Sequence, residues 1–124
     1  MATARTIDHE RGFLRGTWTG RVTGIELADA TRTLLENAEA MRLGRSLTDL
    51  RLAQLEVHMP DISRILEELI VPGLGERRYR MALLVADALQ FGICRQFLSL
   101  TEPHIEGEAF YDEDEALTWL LRGA

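Results

Sequence analysis

A chain of 124 residues that is 46% hydrophobic and 27% charged has the length of one domain with one sizeable core, and a composition that folds rather than stays disordered. Its 14 Lys+Arg against 20 Asp+Glu give a net charge of −6, so the mean surface repels phosphate backbones and anionic headgroups, which argues against a nucleic-acid partner. Cys94 is the only cysteine, which excludes an internal disulfide and fits a reducing compartment, and no stretch reaches the roughly 18 apolar residues of a spanning helix.

The first ten residues are polar and carry no apolar signal region. Every basic residue is Arg and none is Lys, a bias that fits a GC-rich genome. The expectation is a cytoplasmic protein, spanning residues 1–124 as one domain, with peripheral membrane contact left open.

Thr6-Ile7-Asp8 and the stretch from Gly12 to Gly20 read as strands joined by a turn near Glu10-Arg11-Gly12. Alternation puts Leu14, Gly16 and Trp18 on one face and Phe13, Arg15 and Thr17 on the other. Thr23-Gly24-Ile25-Glu26 has capping-box spacing, so a helix starts there. Leu27, Thr31, Leu34, Ala38 and Met41 continue it at helical spacing, and Gly44 is placed to end it in the left-handed conformation.

Ser46 to Leu52 reads as a short strand. Pro60-Asp61 opens a second helix, in which Ile62, Ile65, Leu66, Leu69 and Ile70 form one apolar stripe, and Pro72-Gly73 is expected to stop it. The continuous apolar run from Met81 to Ala86 has the length of an interior strand covered on both faces. Ala88 to Leu100 reads as a third helix, Glu106 to Tyr111 as a last strand, and Asp112 to Arg122 as a closing helix with acidic residues in its first turn. Strands alternating with about four helices after an initial hairpin give an α/β fold with parallel neighbours.

This order of elements resembles the STAS-like superfamily and, more closely, the bacterial SpoIIAA-like proteins. The stretches that carry the likeness are Leu47-Thr48-Asp49-Leu50-Arg51, Tyr79 to Asp87, and Ala109-Phe110-Tyr111 running into Glu115-Ala116-Leu117-Thr118-Trp119-Leu120. The resemblance implies a five-stranded mixed sheet used for protein–protein signalling or, in SpoIIAA-like members, for handling apolar ligands or membranes, with no catalysis and no cofactor. Anti-sigma-factor antagonists of this superfamily place a phosphorylatable serine in an Asp-Ser-x-Gly context at the start of the helix after the third strand. Here the stretch is Pro60-Asp61-Ile62-Ser63-Arg64, which leaves Ser63 as the candidate phosphosite and departs from that pattern.

The third helix is the most informative segment. Leu89, Phe91, Ile93, Cys94, Phe97, Leu98 and Leu100 spread over roughly 200° of its circumference, where a core face needs about 100°. The excess is expected either to be covered by the second or fourth helix of the same chain or to meet a second copy of the chain, a protein partner or an apolar ligand such as a lipid held between the second and third helices. Ile62, Leu66, Leu69, Phe91, Cys94 and Leu98 are the expected contact residues. The Val71-Pro72-Gly73-Leu74-Gly75 exit of the second helix fits either a plain turn or a hinge over such a pocket.

Asp49 and Arg51 fall on one face near a strand end, and Asp87 ends the next strand, a grouping that suits a salt-bridged network more readily than acid–base work. His9, His58 and His104 lack metal-ligand spacing. Arg77, Arg78 and Arg80 form a small basic patch, and the acidic run from Glu102 to Glu115 offers it a match across a dimer. Trp18 and Trp119 read as packing residues.

Overall fold

The computed structural model describes residues 1–122. β1 (Ala2–Asp8) and β2 (Phe13–Thr23) pair antiparallel. Asp8 builds the turn between them: its carboxylate accepts from the Arg11 amide and from Arg11 Nε at 2.8 Å each, while Gly12 takes the positive φ of 73° that closes the hairpin. α1 (Gly24–Glu36) follows through the expected capping box between Thr23 and Glu26.

The expected single helix up to Gly44 is two helices. Asn37 adopts extended backbone angles and its side chain accepts from the Ala40 amide at 2.9 Å, so α1 ends and α2 (Ala38–Leu43) begins on a new cap. Gly44 ends α2 with φ 72°, as the sequence required.

β3 (Arg45–Glu56) is longer than the Ser46–Leu52 expectation. It pairs parallel with β2 along its length and with β4 only from Arg45 to Asp49. A bulge lies between the pairs Thr17 with Asp49 and Thr19 with Leu52, where Leu50 and Arg51 oppose the single residue Trp18. The Asp49 carboxylate accepts from the Arg51 amide at 3.0 Å and so holds the bulge. Beyond it the burial rhythm shifts: Ala53 is buried and Leu52 is 71% exposed.

α3 (Met59–Ile65) runs through a π-helical turn, Leu66–Ile70, into α4 (Val71–Leu74). Pro72-Gly73 therefore does not stop the helix, contrary to the sequence expectation. The Val71 amide bonds to the Leu66 carbonyl five residues back, and this wider spacing lets a proline follow without ending the rod. Gly75, at φ 60°, is the stop.

β4 (Tyr79–Leu84), α5 (Ala88–Thr101), β5 (Ile105–Phe110) and α6 (Glu113–Leu120) complete the order. The sheet runs β1-β2-β3-β4-β5, with β2 through β5 parallel. This is the mixed five-stranded α/β architecture expected of the sequence. β4 shows why its run is continuously apolar: Met81, Leu83 and Val85 enter the core shared with α1, α3, α4 and α5, while Ala82 and Leu84 enter a second core with Phe13, Leu47, Ala116 and Leu120 under α6. α5 settles closely on β5 because Gly107 has no side chain; a Cβ there would stand 2.2 Å from Leu98 Cδ2. No helix among the described residues is long and apolar enough to cross a membrane.

Candidate functional site

A cavity of about 100 Å³ lies between the sheet and the helices on its α1, α3 and α5 side. Its floor follows from the strand registers. Arg5 of β1 stands beside Gly16 of β2, Gly16 beside Thr48 of β3, and Thr48 beside Leu83 of β4. Every member of that row except Gly16 carries a side chain, and an added Cβ at Gly16 would meet only Trp18 Nε1, at 3.9 Å. The missing side chain in the middle of the row leaves the space. Leu27 and Leu34 of α1, Ile62 of α3, and Ile93, Cys94 and Phe97 of α5 roof it.

One part of the lining is polar. Tyr79 and Ser46 are 3% and 2% exposed, and neither hydroxyl has a hydrogen-bond partner among the described residues. Ser46 acts on the Tyr79 phenol as a loose hydrogen-bonding neighbour, a contact that falls outside strict hydrogen-bond geometry and leaves neither hydroxyl well satisfied. Burial pushes the Tyr79 phenol up to about 12, against small opposing effects from Ser46 and the positive charge of Arg5, so at neutral pH it is a neutral donor. Arg5 is half-buried, gives one N–H to the Ala30 carbonyl at 3.2 Å, and has no carboxylate partner among the described residues. Burial likewise pushes the Cys94 thiol up to about 12, which makes it an apolar lining group rather than a nucleophile.

Of the six residues expected to contact a ligand or partner, Ile62 and Cys94 line this cavity. Leu66, Leu69 and Phe91 pack around the same core from outside the lining, and Leu98 is buried over Gly107. The roof also depends on α1, so the space is not confined between the second and third helices of the sequence reading. Arg5, Gly16, Ser46 and Tyr79 were not anticipated as site residues. The inward positions of Gly16 and Ser46 were readable from strand alternation; Arg5 gave no such signal, because the first four residues of β1, Arg5 among them, did not read as strand.

Asp49 and Arg51 lie under α6, on the opposite face of the sheet. Arg51 donates to the Asp49 carboxylate from Nε at 3.0 Å and Nη2 at 2.9 Å. Arg15 reaches Glu113 of α6 at 2.7 Å and Arg51 reaches the same oxygen at 3.5 Å. Burial alone would raise the Asp49 pKa, but the hydrogen bonds and charge of Arg51, with help from Arg15, outweigh it and hold the carboxyl below the ordinary aspartate value. A carboxylate kept ionised in this way is a poor proton acceptor. Asp87 does not join the group: it is the N-cap of α5 and accepts from the Gln90 amide at 2.9 Å.

The remaining expectations separate in space. Ser63 is half-buried in the second turn of α3, past the helix start where a phosphate is best accommodated. His9 sits in the hairpin turn, His58 before α3 and His104 before β5. The basic triplet is not one patch: Arg77 caps the carbonyls of Gly73 and Leu74, while Arg80 lies 3.9 Å over the Trp119 ring and bonds to Glu106 and to the α6 carbonyls of Trp119 and Leu120. On α5, Cys94 and Leu98 are buried and Leu89 is 72% exposed. Phe91 stacks on Tyr111 at 5.3 Å between ring centres, and Tyr111 is 53% exposed.

No protein-family model and no curated protein matches the chain. Among solved structures it is similar to an uncharacterized protein of the DUF3478 family with a SpoIIAA-like fold from Shewanella loihica PV-4, at 22% identity and a TM-score of 0.64, over 95% of this chain and 93% of that one. The chain has a SpoIIAA-like fold.

Proposed function

We propose that the chain is a binding domain without chemistry of its own, and that its cargo is a small apolar molecule held between the sheet and α1, α3 and α5. The observation that supports this reading is the cavity of about 100 Å³ in a region where protein interiors are normally close-packed. Whatever part of that volume is left without contacts costs roughly 24 cal/mol per Å³, up to about 2 kcal/mol in all, a large share of the stability of an ordinary domain. An occupant returns that energy. For scale, an apolar cavity of ~150 Å³ takes up benzene, so the size class is one ring or one short chain, and a two-chain lipid is too large.

Native mass spectrometry of freshly purified protein, followed by amide NMR titration with benzene and short alkyl compounds, tests this. Retained small-molecule mass, or saturable shifts confined to residues around the cavity, is the expected result. Finding neither would end the reading.

A second reading has its own observation. Leu89 is 72% exposed in the first turn of α5, and the Phe91–Tyr111 stack is partly open to solvent. A second copy of the chain or a protein partner covering this end of α5 would bury both. Light scattering coupled to size exclusion should then show a dimer that Leu89→Glu converts to monomer; a monomer in the parent protein removes the homodimer.

A further inference from the structure

The unsatisfied polar groups of the cavity are gathered rather than scattered. Arg5, Ser46 and Tyr79 all belong to its lining, the two hydroxyls lack partners, and the Arg5 charge is close enough to act on the Tyr79 phenol. Leaving a buried hydroxyl unpaired costs about 1–3 kcal/mol, and native proteins keep few such groups. Two of them share a lining with a guanidinium that has no carboxylate partner among the described residues, so three groups able to donate face a space whose lining offers no anion to receive them. Packing does not require them: phenylalanine and alanine would fill the same positions without unpaired hydroxyls.

Resting on the cavity reading above, we infer that this polar end is a carboxylate site, and that the cargo is a single-chain carboxylic acid with a short tail. The guanidinium fork matches the two oxygens of a carboxylate. The Ser46 and Tyr79 hydroxyls each donate one further hydrogen bond as the headgroup seats. The tail lies along the gap left by Gly16, and about four to six carbons fill it, on the scale of a cavity that holds one benzene ring. The net charge of −6 opposes an anion from a distance, but that repulsion is screened within about 8 Å at physiological salt, whereas the contact with Arg5 is made at the site.

The test compares hexanoate, 1-hexanol and hexylamine by NMR titration against the parent protein and against Arg5→Gln, Tyr79→Phe and Ser46→Ala. The parent protein should bind hexanoate at least tenfold more tightly than the alcohol, and the amine least. Arg5→Gln should bring hexanoate down to the level of hexanol while leaving hexanol within twofold. Tyr79→Phe and Ser46→Ala remove hydroxyls with no well-formed hydrogen bond among the described residues, so both should keep the parent urea midpoint or exceed it, and each should weaken hexanoate several-fold. If hexanol binds as tightly as hexanoate, or Arg5→Gln weakens both equally, the carboxylate site is wrong and the apolar-cargo reading survives. If none of the three probes binds the folded parent protein, the carboxylate site falls, and the apolar-cargo reading is then decided by the benzene titration and the retained mass.

Discussion

The side-chain amide of Gln90 donates to the carbonyl of Leu50 at 2.8 Å. It makes a second bond of 2.8 Å to the carbonyl of Ala53, and its oxygen accepts from the Ala86 amide at 2.7 Å. β4 stops pairing with β3 at Asp49, so one buried glutamine on α5 replaces the missing strand and satisfies the backbone that β4 leaves behind. Gln90→Leu keeps the volume and orphans two carbonyls and one amide. At about 1–3 kcal/mol for each buried group left unsatisfied, discounted for relaxation, a loss of about 3 kcal/mol is expected in urea denaturation, with early hydrogen exchange in the second half of β3. A loss below about 1 kcal/mol would show that these groups find other partners.

Gly16 is the gap in the cavity floor, and a Cβ there meets no close obstacle. Gly16→Val should fill part of the space and raise stability by about 1 kcal/mol, since valine suits a strand interior better than glycine. It should also abolish uptake of small apolar molecules. Gly16→Ala should do both to a smaller degree. Undiminished uptake in the valine variant would place the cargo elsewhere.

Asp49 makes the acid limb of the stability curve partly its own. Its folded pKa lies below the ordinary aspartate value, so the stabilisation it gives is fully present above the unfolded value of about 3.9 and is lost as pH falls through the lower folded value. Asp49→Asn should be less stable than the parent at pH 7, and the difference should shrink as the pH is lowered below about 4. Equal pH profiles for the two proteins would mean that the Arg51 pairing contributes nothing net.

Cys94 should resist alkylation while the protein is folded. With its thiol pushed up to about 12, the thiolate fraction at pH 8 is on the order of a thousandfold below that of a free cysteine, and burial slows access further. Iodoacetamide labelling followed by mass spectrometry should track global unfolding across a urea series. Fast labelling in the absence of urea would show that the roof opens on its own.

Much of the fold was legible because its signals are local. Thr23 with Glu26, Asp112 with Glu115, and Gly44 each fix a helix end through backbone groups a few residues away, and all three take that role in the structure. The π-helical turn before Pro72 and the bulge at Leu50 and Arg51 were not legible, because each is set by what the segment packs against. The cavity was half legible for the same reason. Ile62 and Cys94 announced themselves through helical periodicity, whereas Gly16 matters only through the neighbours that registers on both sides of β2 bring to it. Arg5 in isolation reads as one more solvated arginine; only the pairing of β1 with β2 carries it to the cavity.

β1 forms one margin of the sheet, bonded along a single side to β2, and Ala2, Thr3, Ala4 and Thr6 are exposed. A strand in that situation offers its other side to any chain that can pair with it. The same strand supplies the one charged group of the cavity among the described residues. If the proposed cargo engages Arg5 from within, it fastens an edge strand of the sheet, and mass action makes that fastening stronger as the cargo becomes more abundant. On that reading, emptying the protein would loosen this margin, and its resistance to clumping would follow how full it is.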